Sequence, residues 1–320
     1  MASTRGKVLN LLQDGAVWSG QELARQLNIS RTAIWKHIET LKQDGYDIET
    51  IPRKGYQLFG RTDRLDEPAF VSFRHGRFGQ HVYAYDQVDT TQRIAHELAQ
   101  KGALEGTLVI SEEQTAGRGQ LGRSWHNPSH VNIAASIILR PELPIREASK
   151  LTLMAASAFA RSLRQQGVPA YIKWPNDLLV NGKKIGGILT EMQTEGDRIQ
   201  AVILGFGLNV NTESIPTDLV HRATSIKLET GVALRRSEVL ADLLAELETE
   251  YDALLESGFG PVRDNWLENA AYLNEEVTLT ASGESKRGIM RGISEQGALL
   301  LERHGAIEAI YSAEIAVWND

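Results

Sequence analysis

Cysteine is absent from all 320 residues, which removes disulfides, thiolate metal sites and a cysteine nucleophile from consideration. Its absence is compatible with a reducing compartment. Long apolar runs are missing too: none approaches the roughly 18 residues of a membrane span, and the N-terminus lacks the apolar core of a secretory signal. The expectation is a soluble, cytoplasmic protein with no membrane partner. His126 and His130 have a metal-like spacing, but they lie in an Asn-Pro loop without a third ligand, so no structural metal is expected. No Ser-His-Asp arrangement is legible. What is present is 42% hydrophobic content, enough to bury real cores and to divide the chain into two or three domains.

The net charge of −7 is unevenly spread. Residues 1–61 hold nine Lys/Arg against six Asp/Glu, so this stretch is +3 and the remainder −10. A small basic part on a larger acidic body suggests that only the first touches a polyanion. The basic part opens with an apolar helix (Val8, Leu9, Leu12). Ser19-Gly20-Gln21-Glu22 then spells a capping box for a second helix, and Ser30 can cap a third with Ile34, Ile38 and Leu41 at core-facing spacing, ended by Gly45. Two short strands around Pro52-Arg53-Lys54-Gly55 complete a winged helix-turn-helix. Arg31, Thr32, Trp35 and Lys36 fall on or near the polar side of the third helix, where a recognition helix meets bases and phosphates, and Lys54 at the wing tip adds a phosphate contact. Such units also dock proteins, with Trp35 then merely packed. A charged, pattern-poor linker is expected at 60–68.

Beyond it, Val82–Val88 reads as a strand and Asp89-Thr90-Thr91-Gln92 as the start of a helix, for which capping alone accounts for a threonine. The most informative segment is Gln114-Thr115-Ala116-Gly117-Arg118-Gly119-Gln120-Leu121-Gly122-Arg123. Glycines let backbone approach an anion and guanidinium groups fork onto phosphate or carboxylate oxygens, so it reads as a ligand-closing loop. It also spells G-x-G-x-x-G, but the segment after it, Val131–Leu139, is strand-like rather than helical, which argues against a dinucleotide fold.

Tyr171-Ile172-Lys173-Trp174-Pro175-Asn176-Asp177 is a strand breaking into a turn, and Asn181-Gly182 is a strong hairpin signal. That hairpin pairs Lys184 with Leu179 and brings Gly186-Gly187 near Asn176-Asp177. One end of the ribbon thus holds a carboxylate, an amide and cations with little side-chain bulk; Lys173 with Asp177 as a plain ion pair is the simpler alternative. In the strand 200–211, Gly205, Gly207, Asn209 and Asn211 share one face, which suits the floor of a polar pocket. Ser237–Gly258 reads as a long amphipathic helix, and from Tyr272 onward short strands alternate with turns at Ser282-Gly283, Glu295-Gln296-Gly297 and His304-Gly305, a small β-barrel pattern.

Together and in this order these clusters resemble the biotin protein ligases, specifically the bacterial type that doubles as a repressor of biotin synthesis. The resemblance runs the whole length: the winged helix-turn-helix, Asp89-Thr90-Thr91, the Gly-Arg loop at 114–123, Lys-Trp-Pro-Asn-Asp at 173–177, Lys184-Ile185-Gly186-Gly187-Ile188-Leu189 and Gly205-x-Gly-x-Asn209. It implies an α+β protein: a winged helix at 1–62, a catalytic domain with a mixed sheet of the class II synthetase and biotin ligase kind at 63–270, and an SH3-like β-barrel at 271–320. The implied activity joins biotin and ATP, carried with Mg²⁺, into biotinyl-5′-adenylate and transfers the acyl group to a lysine of a biotin carboxyl carrier protein, in acetyl-CoA carboxylase or another biotin-dependent carboxylase. The implied partners also include operator DNA and a second copy of the chain.

By the same resemblance Thr90, Thr91, Gln92 and Gln114 bind the biotin head group, and Arg118, Gly119 and Gln120 close over biotin and its adenylate. Lys184 bridges carboxylate and α-phosphate, while Gly117, Arg123, Lys173, Asn176 and Asn209 serve ATP or the adenylate. Asp177 orients Lys173 or accepts a proton from the incoming lysine. Many relatives carry arginine where this chain has Gln120, and often a basic residue at Leu121, so weaker retention of the adenylate is expected. A lipoate- or octanoate-type ligase and a non-enzymatic sensor are the alternatives.

Overall fold

Serine hydroxyls start the first three helices. In the computed structural model, which describes residues 3–60, 63–217, 219–281 and 284–316, Ser3, Ser19 and Ser30 cap α1 (Thr4–Leu12), α2 (Gly20–Leu27) and α3 (Arg31–Gln43). At Ser19 the box is reciprocal: its hydroxyl accepts from the Glu22 backbone N–H, and the Glu22 carboxylate accepts from the Ser19 N–H. Val8, Leu12, Leu23, Ile34, Ile38 and Leu41 are fully buried between the helices. Strands β1 (Ile48–Ile51) and β2 (Gly55–Leu58) form the antiparallel wing. Gly55 has φ +144°, and a Cβ there would overlap the Trp18 carbonyl.

The expected linker at 60–68 is, from Asp63 onward, built into the structure. Asp66 caps α4 (Glu67–Phe73), and its carboxylate also accepts from the Tyr46 hydroxyl at 2.7 Å. Ala69 enters the winged-helix core while Phe70 enters the central core, so α4 belongs to both. Asn10 of α1 and Gln13, its C-cap residue, donate to the Ser72 carbonyl and hydroxyl at 2.5 and 2.6 Å. The charge of this stretch made it look like a tether, whereas Asp63 and Asp66 have specific partners.

The central sheet has the order β3-β4-β5-β9-β8-β7-β6. Its strands are β3 (Val82–Val88), β4 (Leu108–Gln114), β5 (Ile133–Leu139), β6 (Tyr171–Lys173), β7 (Asp177–Val180), β8 (Lys183–Glu195) and β9 (Arg198–Leu208). Only β3 and β4 pair in parallel. Helix α5 (Thr91–Gln100) covers one face through Ala95 and Ala99 against Val109, Ile138 and Ile203. The larger core on the other face holds α6 (Ala148–Gln165), α8 (Arg236–Ser257) and α9 (Phe259–Glu268), and α7 (Ile226–Thr230) is a short connection.

The C-terminal strands β10 (Glu276–Ala281), β11 (Glu284–Ile293), β12 (Leu299–Arg303), β13 (Ala306–Ile310) and β14 (Glu314–Ala316) form an antiparallel sheet in the order β13-β12-β11-β10-β14. The expected turn at Ser282-Gly283 lies outside the described residues. At His304-Gly305 both residues have positive φ, +51° and +77°, as a two-residue primed hairpin turn requires. Among the described residues, no helix is long and apolar enough to cross a membrane.

Candidate active site

Two glycines open a cavity of about 700 Å³ in the central sheet. Both belong to β9 and neither has positive φ. A Cβ on Gly205 would overlap the side-chain oxygen of Gln92, and one on Gly207 would overlap the Trp125 indole. The bare strip therefore lets two large side chains lie against the sheet.

Around it the polar groups are already oriented by one another. Thr90 caps α5, its hydroxyl accepting from the Gln92 N–H, so the capping reading is correct for that residue. The Thr91 hydroxyl lies 3.1 Å from the Gln114 side-chain oxygen and 2.9 Å from the Ser136 hydroxyl. Gln92 donates to the Ile203 carbonyl at 3.1 Å and accepts from Ser136 at 3.0 Å. All four lining residues Thr90, Thr91, Gln92 and Ser136 are buried. The Trp125 Nε1–H is also buried and has no hydrogen-bond partner among the described residues.

Charge gathers at the other end. The hairpin at Asn181-Gly182 has the expected register, Leu179 opposite Lys184 and Asp177 opposite Gly187, with a bulge at Ile185. Asp177 lies between two lysines, 2.5 Å from Lys184 Nζ and 3.9 Å from Lys173 Nζ. Lys184 lies across Gly187, whose missing Cβ would stand 3.1 Å from Nζ. Burial pulls the Lys173 ammonium below its ordinary range, with Asp177 opposing that shift. Asn176 donates to the Ile188 carbonyl at 2.7 Å, so its amide nitrogen is committed to the sheet.

The Gly-Arg loop is folded on itself. Gly119 N–H donates to the Arg123 carbonyl at 2.7 Å, and Trp125 N–H to the Gly117 carbonyl at 2.8 Å. The Gly119 N–H is thereby satisfied within the loop. Gly122 takes φ +73°, and a Cβ on Gly117 would stand 2.5 Å from the Trp125 carbonyl. Arg118 is exposed. Arg123 makes a bidentate pair with Glu314 at 2.8 and 2.5 Å, and this partner holds the Glu314 carboxyl below its ordinary range.

Of the expected ligand residues, Thr90, Thr91, Gln92, Gln114, Arg118, Gly119, Gln120, Arg123, Lys173, Asn176, Asp177 and Lys184 line this one cavity. Gly117 and Asn209 do not. Gly117 serves the packing of the loop. Strand β9 ends at Leu208, and Asn209 then donates to the Thr224 carbonyl at 3.0 Å, while Asn211 binds Asp63 and Leu234. The alternating face therefore forms a pocket floor only at its two glycines. Sequence reasoning missed Trp125 and Ser136, and also the C-terminal sheet, which contributes Thr280, Gln296, Tyr311 and Glu314 to the wall. On α3 and the wing, Arg31, Thr32, Lys36 and Lys54 are exposed, and Trp35 is 53% exposed, so it is not packed.

Residues 84–209 match the Biotin/lipoate A/B protein ligase family, 5–57 an HTH domain and 272–318 the Biotin protein ligase C terminal domain. The chain is 41% identical over 301 residues to the Bifunctional ligase/repressor BirA of Bacillus spizizenii, covering 93% of each. It belongs to the biotin protein ligase family, in the bifunctional ligase/repressor branch. The Escherichia coli protein of the same description is 32% identical over 313 residues, 97% of this chain and 96% of that one. Among solved structures, the biotin protein ligase from Aquifex aeolicus in complex with biotin and ATP superposes with a TM-score of 0.65 at 29% identity, covering 74% of this chain and 98% of that chain.

Proposed function

We propose that this chain activates biotin with ATP and transfers it to one lysine of a biotin carboxyl carrier protein, of acetyl-CoA carboxylase and of other biotin-dependent carboxylases, and that it represses transcription by binding operator DNA when biotin is plentiful. The observation that carries the ligase reading is a single cavity with oriented neutral polar groups at one end and two lysines around a carboxylate at the other. Biotin fits this arrangement: an uncharged ureido head finds hydroxyl, amide and the unpartnered indole N–H, and the far end presents cations to a carboxylate and a triphosphate.

Carboxylate and α-phosphate repel each other, so the chemical need is cations that neutralise both and hold them in line. In the first step a biotin carboxylate oxygen bonds to the α-phosphorus and the bond to pyrophosphate breaks. Lys184 bridges the two anions, and Lys173 and Arg123 draw negative charge from the phosphates; Mg²⁺, as part of the MgATP substrate, would supply further neutralisation of the phosphates. In the second step the carrier lysine attacks the acyl carbon and AMP leaves. That amine must be neutral to attack, and Asp177, held beside the reacting centre by both lysines, accepts its proton. Thr90, Thr91, Gln92 and Gln114 hold the head group, while Arg118, Gly119 and Gln120 cover the adenylate.

In this reading residues 1–62 read DNA, 63–270 carry the ligase reaction, and 271–320 form the C-terminal unit whose Thr280, Gln296, Tyr311 and Glu314 line the cavity. A homodimer places two α3 helices on a palindromic operator. The deciding assay is biotin-dependent exchange of labelled pyrophosphate into ATP, run beside lipoate and octanoate. Exchange with biotin is expected; exchange with lipoate alone would reassign the substrate, and none with any acid would leave a sensor.

A further inference from the structure

Arg236, the first residue of α8, is 0% exposed. Its guanidinium has five N–H groups and makes five hydrogen bonds. Nε donates to the Asp63 carboxylate at 3.0 Å; Nη1 donates to Glu112 at 2.6 Å and to the Asn132 carbonyl at 3.1 Å; Nη2 donates to the Asp63 carbonyl at 2.8 Å and to Glu112 at 3.2 Å. Glu112 also accepts from the Leu65 N–H at 2.8 Å. Replacing a buried pair of this kind by well-packed apolar residues is often neutral or stabilising, so its burial is weak evidence for a role in stability alone.

Its position points to another role. Glu112 lies on β4, two residues before Gln114, and Asn132 immediately precedes β5. These are the two feet of the segment 114–131 that carries Arg118, Gln120, Arg123 and Trp125. Asp63 and Leu65 lead directly into α4, the helix shared by the winged-helix core and the central core. One side chain thus clamps both feet of the ligand loop to the base of the DNA-binding unit. We propose that Arg236 is a positioning residue that holds the loop for adenylate formation and transmits its ligand-bound state through Asp63 and Leu65 to α4, coupling operator affinity to biotin. This rests on the proposed ligase and repressor reading.

Asp63→Asn weakens the clamp on the winged-helix side and leaves Arg236 with Glu112. The full-length variant is compared with the unaltered chain for pyrophosphate exchange and for affinity, with and without biotin plus ATP, towards a DNA duplex selected from a random library by the liganded protein. The expected result is exchange within twofold in kcat and KM, but a gain in DNA affinity on adding biotin and ATP that shrinks at least tenfold. Arg236→Lys, which keeps the charge and loses the fork, is expected to raise the KM for ATP and to shrink the same gain; Arg236→Met is expected to lose both more completely.

A second measurement needs no variant: hydrogen exchange at residues 63–66 of the unaltered protein. Those amides lie outside the cavity lining, and biotin plus ATP is expected to slow their exchange at least tenfold. A full ligand-dependent gain in Asp63→Asn, or unchanged protection at 63–66 when the unaltered chain does exchange pyrophosphate, would overturn the coupling and leave the ligase reading intact. Absence of pyrophosphate exchange in the unaltered chain would overturn both.

Discussion

Gly205 is glycine because of what lies opposite it. Its backbone is ordinary strand, yet a methyl group there collides with the Gln92 side-chain oxygen, which Ser136 and the Ile203 carbonyl hold in place. Gly205→Ala is therefore expected to displace Gln92 and weaken biotin binding roughly tenfold or more, about 1.4 kcal/mol, while the melting temperature stays within a few degrees; calorimetric titration checks this, and unchanged affinity would remove Gln92 from the head-group site. Glu112 gives a pH signature. Burial pushes its carboxyl up, but the hydrogen bonds from Arg236 and their charge pull it further down, so its folded pKa is depressed. A depressed carboxylate contributes stability that is whole above its unfolded pKa and is lost as pH falls through the folded one. Urea midpoints are expected to fall below about pH 5, and Glu112→Gln is expected to be less stable at neutral pH with a flatter acid slope. Equal slopes for the two proteins would contradict this assignment.

At the scale of elements, what was legible in the sequence was local. The Ser19 and Ser30 caps, the Asn181-Gly182 hairpin and the strand at Val82–Val88 each follow from a few adjacent residues, and the hairpin register alone set Lys184 opposite Leu179 and Gly187 near Asp177; the contact between the Lys184 and Asp177 side chains came only with the structure. Helix α6 was not read from the sequence; it is rich in Ala and Ser and most of its residues are buried. Short α4 was hidden by the charges before it and by Pro68. Trp125 and the walls from Thr280, Tyr311 and Glu314 reach the cavity by long-range folding that no local spacing encodes.

Two predictions belong to this scale. Trp35→Ala is expected to lower operator affinity without altering pyrophosphate exchange, whereas Lys54→Ala is expected to weaken binding across sequences and reduce the salt slope by about one; fluorescence anisotropy over a salt series checks both, and equal effects on exchange would place these residues in the ligase. In the loop, Gln120 carries no charge, so Gln120→Arg is expected to slow escape of the adenylate, measured as release of labelled intermediate. An unchanged release rate would remove electrostatic retention as the explanation.

The whole molecule brings three separately recognisable units onto one ligand cavity or its supports. The central sheet supplies the floor, the C-terminal sheet reaches back across 191 residues for Glu314 to pair with Arg123, and α4 ties the winged helix to the same core. The central claim is that Lys184 forces two mutually repelling anions together. The most direct measurement is single-turnover adenylate formation by Lys184→Met beside a calorimetric titration with biotin. A rate reduced by roughly a thousandfold or more, about 4 kcal/mol of barrier, with biotin affinity within tenfold of the unaltered protein, is the predicted result. A rate within tenfold of the unaltered protein would contradict it.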